Sequence, residues 1–125
     1  MQKITLTMLT VFISTFISAA YKDVIKMELI EGCSAEEIVE LKEEFMKVMK
    51  EKNYDYSAEV WTPVFSDETS GYVYWVGTAP DLADFGPEFT RYFNEVSKGN
   101  TQESKIEAGF DECRVEVSRS GFLTQ

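Results

Sequence analysis

The sequence predicts an α+β domain of order strand, helix, strand, strand, helix, strand, its four strands forming one antiparallel sheet with two helices on one face. Three observations carry that prediction. Alternating and 3.6-residue apolar periodicities follow one another along the chain in that order. The stretch 71–77, Gly-Tyr-Val-Tyr-Trp-Val-Gly, sets Tyr72, Tyr74 and Val76 against Val73 and Trp75; a strand with large side chains on both faces belongs at a sheet's covered centre. Cys33 and Cys113 lie where antiparallel pairing of the first and last strands would bring them together.

Residues 1–20 read as an address rather than as fold. Lys3 precedes an apolar run over 4–17, and Ser18-Ala19-Ala20 supplies the small residues of a cleavage site, so a cleaved secretory signal is expected. The run is short for a membrane anchor and is threaded with Thr and Ser, and no lipoprotein cysteine follows it. The expected product is a secreted or periplasmic chain, residues 21–125, with no membrane contact after cleavage. Its length suits one domain that buries about two thirds of its surface.

Lys3 is the one charged residue of the signal, so the remainder carries 11 basic against 22 acidic residues. That balance opposes binding to nucleic acid or anionic lipid and suits solubility or a basic partner. An even cysteine count in an exported chain predicts a disulfide, Cys33 to Cys113. Two free thiols or a metal pair are the alternatives. The chain has no His, which disfavours a metal site at the two cysteines.

The first strand spans 24–30, with Ile25, Met27 and Leu29 alternating with Lys26 and Glu28. Glu31-Gly32-Cys33 ends it. Ser34 and Glu37 form a capping box ahead of Ile38, Leu41, Phe45, Val48 and Met49 at helical spacing. Alternation resumes over 56–65, where Ala58, Val60 and Val64 oppose Glu59, Trp61 and Phe65, and Pro63 marks an edge strand. A polar turn at 66–70 joins it to the central strand as a hairpin. Thr78, Pro80 and Asp81 resemble a helix start, and Gly86-Pro87 is expected to interrupt that helix before Phe89, Tyr92, Phe93 and Val96 continue it. Residues 97–111 are polar and expected to be mostly loop, with Ile106 and Phe110 tucked under. A last strand follows, Cys113, Val115 and Val117 alternating with Arg114, Glu116 and Ser118.

This order is the split βαβ, ferredoxin-like arrangement, in which the first and last strands are antiparallel neighbours. If odd positions pair with odd, Ile25, Met27, Leu29, Val115 and Val117 share the face under the helices. The open face then carries Lys26, Glu28, Arg114 and Glu116, together with Trp61 and either Trp75 or the Tyr72/Tyr74 pair. A face of that mixed character suits a cavity lining, with Trp61, Tyr72, Tyr74, Trp75, Glu28 and Arg114 as candidate ligand-binding residues. Its cover is expected to be a second copy of the chain, the segment 121–125 or a ligand, the second copy being preferred.

In element order, size and the aromatic third strand, residues 23–120 resemble the dimeric α/β-barrel superfamily, small ferredoxin-like subunits whose sheets combine in a homodimer around a cavity. The resemblance implies a homodimer. It also implies activities found among such proteins, including cofactor-independent monooxygenation of quinols or polyketides and haem degradation. Haem-binding members generally use a His ligand, which this chain lacks, so no cofactor is expected. Trp75, Asn94 and Arg91 are of the residue types that the resemblance places near monooxygenase cavities.

Other constellations are weaker. Nucleophilic triads of the usual kind lack their His. Glu36, Glu37, Glu40, Glu43 and Glu44 read as solvated helix surface, and 67–71 as a turn rather than a calcium loop. Glu28 with Lys26 or Arg114 reads first as cross-strand charge pairing and second as an acid or base beside aromatics. Phe85, Phe89, Tyr92 and Phe93 read as core by spacing, with Gly86-Pro87 as an alternative cavity mouth. The expected functions are a homodimeric holder of a small apolar or aromatic molecule, a cofactor-independent monooxygenase-like enzyme, and an acidic secreted interaction or inhibitor protein.

Overall fold

The computed structural model describes residues 19–64 and 71–125. The expected signal segment therefore falls largely outside the described residues, as does the whole of the expected turn at 66–70. Seven elements follow in order: β1 (Tyr21–Leu29), α1 (Ala35–Glu51), β2 (Ser57–Trp61), β3 (Tyr72–Ala79), α2 (Leu82–Ser97), α3 (Gln102–Cys113) and β4 (Arg114–Leu123). The strands form one sheet of order β2-β3-β1-β4 with every neighbouring pair antiparallel, which is the ferredoxin-like topology. β2 is an edge strand and stops before Pro63.

All three helices cover one face. Ile25, Met27, Val73 and Trp75 of the sheet pack against Ile38, Phe45, Val48 and Met49 of α1, Tyr92 of α2, and Ile106 and Phe110 of α3. The indole of Trp75 is central: Phe45 and Phe110 meet it edge-on at centroid distances of 5.0 and 5.3 Å. α1 starts on the capping box foreseen, Ser34 Oγ accepting from the Glu37 amide while the Glu37 carboxylate accepts from the Ser34 amide. Cys33 and Cys113 form the expected disulfide, Cα to Cα 5.4 Å, which ties the end of β1 to the start of β4.

Four expectations need correction. The stretch expected to be mostly loop contains α3, which Thr101 caps reciprocally with Ser104 and which anchors through buried Ile106 and Phe110 one turn apart. Its apolar stripe is only one side chain wide, too thin to stand out among polar neighbours. α2 begins later than expected, at the Asp81 cap, because Thr78 still belongs to β3. It also runs unbroken through Pro87. Gly86 offers the proline ring no Cβ to clash with, so the remaining cost is the lost amide bond to the Ala83 carbonyl.

The fourth correction concerns the pleat. Odd pairs with odd only ahead of Lys26, where Ile25 faces Arg119, Asp23 faces Gly121 and Tyr21 faces Leu123. Between Lys26 and Met27 the register slips, leaving Val117 as the extra residue of a bulge, so that Met27 faces Glu116 and Leu29 faces Arg114. The slip turns Arg114 and Glu116 toward the helices and leaves Val115 and Val117 exposed. Residues 121–123, considered above as a cover for the sheet, are part of β4 itself.

Candidate functional site

Between the sheet and the helices lies a cavity of about 280 Å³. Its floor is the helix-facing side of the sheet, with Asp23 and Ile25 from β1, Trp75 from β3, and Arg114, Glu116 and Arg119 from β4. Phe45 and Met49 of α1, with Tyr54 and Tyr56 ahead of β2, close one side. Phe85, Phe89 and Phe93 of α2, one turn apart, form another wall, with successive centroids 5.6 and 4.6 Å apart. Phe89 and Phe93 are 36% and 38% exposed, and Asp111 and Glu116 are exposed as well, so these residues mark the mouth.

Two polar chains cross the lining. In the first, Arg119 donates from Nε and Nη2 to both oxygens of Asp23 at 2.8 and 2.7 Å, Tyr56 Oη donates to Asp23 Oδ2 at 3.1 Å, and Trp75 Nε1 donates to Tyr56 Oη at 2.9 Å. Asp23 is 1% exposed, a burial that a carboxylate tolerates only when paired this fully. Burial by itself would lower the Arg119 pKa, but the bond to Asp23 and the nearby carboxylates outweigh it and hold Arg119 above its ordinary value. Burial, reinforced by the Asp23 charge, pushes the Tyr56 hydroxyl well up, so it remains a donor. Glycine makes room for this chain: a Cβ on Gly77, opposite Asp23 in the ladder, would come within 1.7 Å of Tyr56 Oη.

In the second chain Tyr92 Oη donates to Glu107 Oε1 at 2.9 Å, and Arg114 Nη2 approaches Glu107 Oε2 at 3.6 Å. Burial raises the Glu107 pKa, partly opposed by the Tyr92 bond and the Arg114 charge. This places an acid that keeps its proton to a higher pH than a surface glutamate beside the Tyr92 ring. A separate buried acid, Glu103, accepts from Lys52 Nζ at 2.6 and 2.7 Å and binds α3 to the end of α1. Burial would raise its pKa, but the Lys52 bonds and the Tyr54 hydroxyl bring it below the ordinary range.

The six candidate binding residues divide between the two faces of the sheet. Trp75 and Arg114 line the inner cavity. Tyr72, Tyr74, Glu28 and Trp61 fall on the open face, where Lys26 sits 4.2 Å over the Tyr72 ring and Trp61 Nε1 donates to Glu59 at 2.9 Å. Glu28 thus pairs across the ladder with Tyr72 and Val115, not with Arg114, which lies on the other side. Of Trp75, Arg91 and Asn94, only Trp75 reaches the cavity; Arg91 lies over the Tyr54 ring and donates to the Lys52 carbonyl.

Sequence reasoning missed Asp23, Tyr56, Glu107 and Arg119. Asp23 carried a usable signal, since its odd position puts it in phase with Ile25 and Met27 on the buried face. Tyr56, Glu107 and Arg119 carried none without the register.

Cys33, Glu37 and Cys113 cluster with their donor atoms within 4.8 Å, but the sulfurs are bonded to each other and Glu37 serves the helix cap. Among the described residues no helix is long and apolar enough to cross a membrane.

Comparison with protein-family models gives no match, and comparison with curated proteins gives no significant one. Solved structures do resemble the chain. A hydroxynitrile lyase from Passiflora edulis is 12% identical over 85% of this chain and 94% of its own, with a TM-score of 0.55. A conserved protein from Methanosarcina mazei Go1 (11% identical, 86% and 93% covered, TM-score 0.47) resembles it more loosely. So does a dimeric, ferredoxin-like protein of unknown function from Bacteroides fragilis NCTC 9343 (14%, 85% and 95%, TM-score 0.45). At such identity the likeness is one of fold alone, in keeping with the ferredoxin-like strand order described above.

Proposed function

We propose that the protein is an exported domain that holds a small aromatic molecule in the cavity between its sheet and helices, two copies being joined through their open sheet faces. The aromatic-walled cavity carries this reading. At about 280 Å³ it exceeds the roughly 150 Å³ that accepts a benzene ring and suits one substituted ring or a compact bicycle. Export is supported by the Cys33–Cys113 disulfide.

The second copy is supported by what the open face exposes. Trp61 is 55% exposed, as is Val115, and Phe122 is 54%. Lys22 and Lys26 there balance Glu28 and Glu59, so an otherwise acidic chain meets its copy without like-charge repulsion. Solution mass tests this part: a dimer is expected for the native protein and a monomer for Trp61→Glu with Val115→Glu, and a native monomer sinks the pairing.

The test of the cavity uses Trp61→Phe, which leaves Trp75 as the sole tryptophan. Saturable quenching of Trp75 by 2-naphthol is expected, and loss of that quenching when Val96→Phe fills the cavity. Absence of saturable binding by any aromatic probe overturns the reading.

A catalytic reading draws on Glu107, whose raised pKa and Tyr92 partner suit an acid or base facing the bound ring. Oxygen uptake over a quinol panel and cleavage of hydroxynitriles test it. Turnover lost in Glu107→Gln supports catalysis, and no turnover of either class removes it.

A further inference from the structure

The lining of the cavity is unbalanced in charge, and the imbalance bears on what it holds. Five carboxylates, those of Asp23, Glu88, Glu107, Asp111 and Glu116, line it against two guanidinium groups, Arg114 and Arg119. Both cations are already committed: Arg119 to the two oxygens of Asp23, Arg114 to Glu107 and to the Met27 sulfur. Neither Asp111 nor Glu116 makes an ion pair among the described residues. Glu88 Oε2 is fully buried without a hydrogen bond, with Arg91 Nη1 only at 3.5 Å. An acceptor surplus is thus left toward the mouth.

The aromatic wall adds an independent observation. A ring face attracts a cation through its quadrupole. The protein already uses two lining rings in this way, with Arg119 over Phe89 at 4.9 Å and Arg91 over Tyr54 at 4.0 Å. Phe85 and Phe93 flank Phe89 along α2. Rings that bind cations and carboxylates that outnumber the lining cations converge on one opening, and an anionic ligand would meet repulsion there.

We infer that the ligand is a protonated amine carried on an aromatic body, its ring set among Trp75, Phe45 and Tyr92 and its ammonium at the mouth between the Phe89–Phe93 wall and Glu88, Asp111 and Glu116. The inference rests on the cavity reading above and gives it a ligand class. The aromatic body accounts for the depth of the pocket, and the cation accounts for the acids at its rim.

Three probes of similar size and different charge test it on the intact protein: 2-phenylethylamine, 2-phenylethanol and 3-phenylpropionate, titrated by calorimetry at low salt. The amine is expected to bind at least about tenfold tighter than the alcohol, and the carboxylate weaker than both. The amine-to-alcohol ratio is expected to shrink about threefold in Glu116→Gln and in Glu88→Gln, and to shrink again in high salt. Equal binding of amine and alcohol, or tighter binding of the carboxylate, overturns the ligand class while leaving the cavity reading standing. A ratio unmoved by both variants places the amine elsewhere and overturns the assignment. Failure of all three probes and of 2-naphthol overturns the cavity reading and this inference together.

Discussion

Arg119→Met probes the floor of the cavity most sharply, because it removes the partner of a carboxylate that has no access to water. Asp23 is 1% exposed and loses both charge-assisted bonds, keeping only the one from Tyr56. Stranding one charge of a buried pair costs about 3–5 kcal/mol. The Arg119 side chain is 34% exposed, so water can enter behind the shorter methionine, and the lower end, about 3 kcal/mol, applies. For a domain of this size that lowers Tm by roughly 12 °C or more, at about 4 °C per kcal/mol. Urea unfolding followed by far-UV circular dichroism under non-reducing conditions measures the loss, with an unchanged m-value as the check on two-state behaviour. Asp23→Asn in the same background removes the stranded charge, so the double variant is expected to recover about 2 kcal/mol relative to additivity. A loss under about 0.5 kcal/mol for Arg119→Met, or strict additivity in the double variant, refutes the claim that this pair holds the floor.

Gly77→Ala is expected to cost about 2 kcal/mol or more, since its Cβ would overlap Tyr56 and dislodge the bonds to Trp75 and Asp23; chemical denaturation measures the loss, and Tyr56→Ala in the same chain should recover part of it. The lowered pKa of Glu103 means that the unfolded chain binds its proton more readily, so its stabilisation is full above the unfolded value of about 4.5 and fades as pH falls through the folded value. Glu107, raised, acts with the opposite sign: its contribution is full below the unfolded value and is lost as pH rises through the folded one. Unfolding free energies between pH 3 and 7 should therefore lose acid sensitivity in Lys52→Met and gain stability at the upper end in Glu107→Gln. Replacing Cys33 and Cys113 by Ala opens a loop of sequence separation 80 and is expected to cost about 4 kcal/mol in the chain-entropy picture, read as a lower denaturation midpoint.

Much of the fold could be read from residues whose local and global preferences agree. The Ser34/Glu37 box, the apolar stripe of α1, Pro63 at the edge and the two cysteines each point to the same topology. The site was harder to read because it occupies the places where those preferences part. Asp23 looks like the end of a strand, since a charge in the buried phase is costly until Arg119 is brought beside it. The bulge at Val117 leaves no mark on the alternation of Val115 and Val117, yet it decides that Arg114 and Glu116 face the cavity and the valines do not. The α2 aromatics were visible as a stripe, but a stripe reads as core, and only the spacing of α2 from the sheet makes it a wall. The doubly apolar strand β3 did foretell that both faces of the sheet matter, with Trp75 turned inward and Tyr72 and Tyr74 outward.

A crystal of the protein soaked with 2-phenylethylamine gives the most direct answer about the cavity. The account predicts ligand density between sheet and helices, its ring against Trp75 and its nitrogen at the mouth within reach of Glu116 or Glu88. Density on the open face beside Trp61 and Tyr74, with the inner cavity empty, contradicts it.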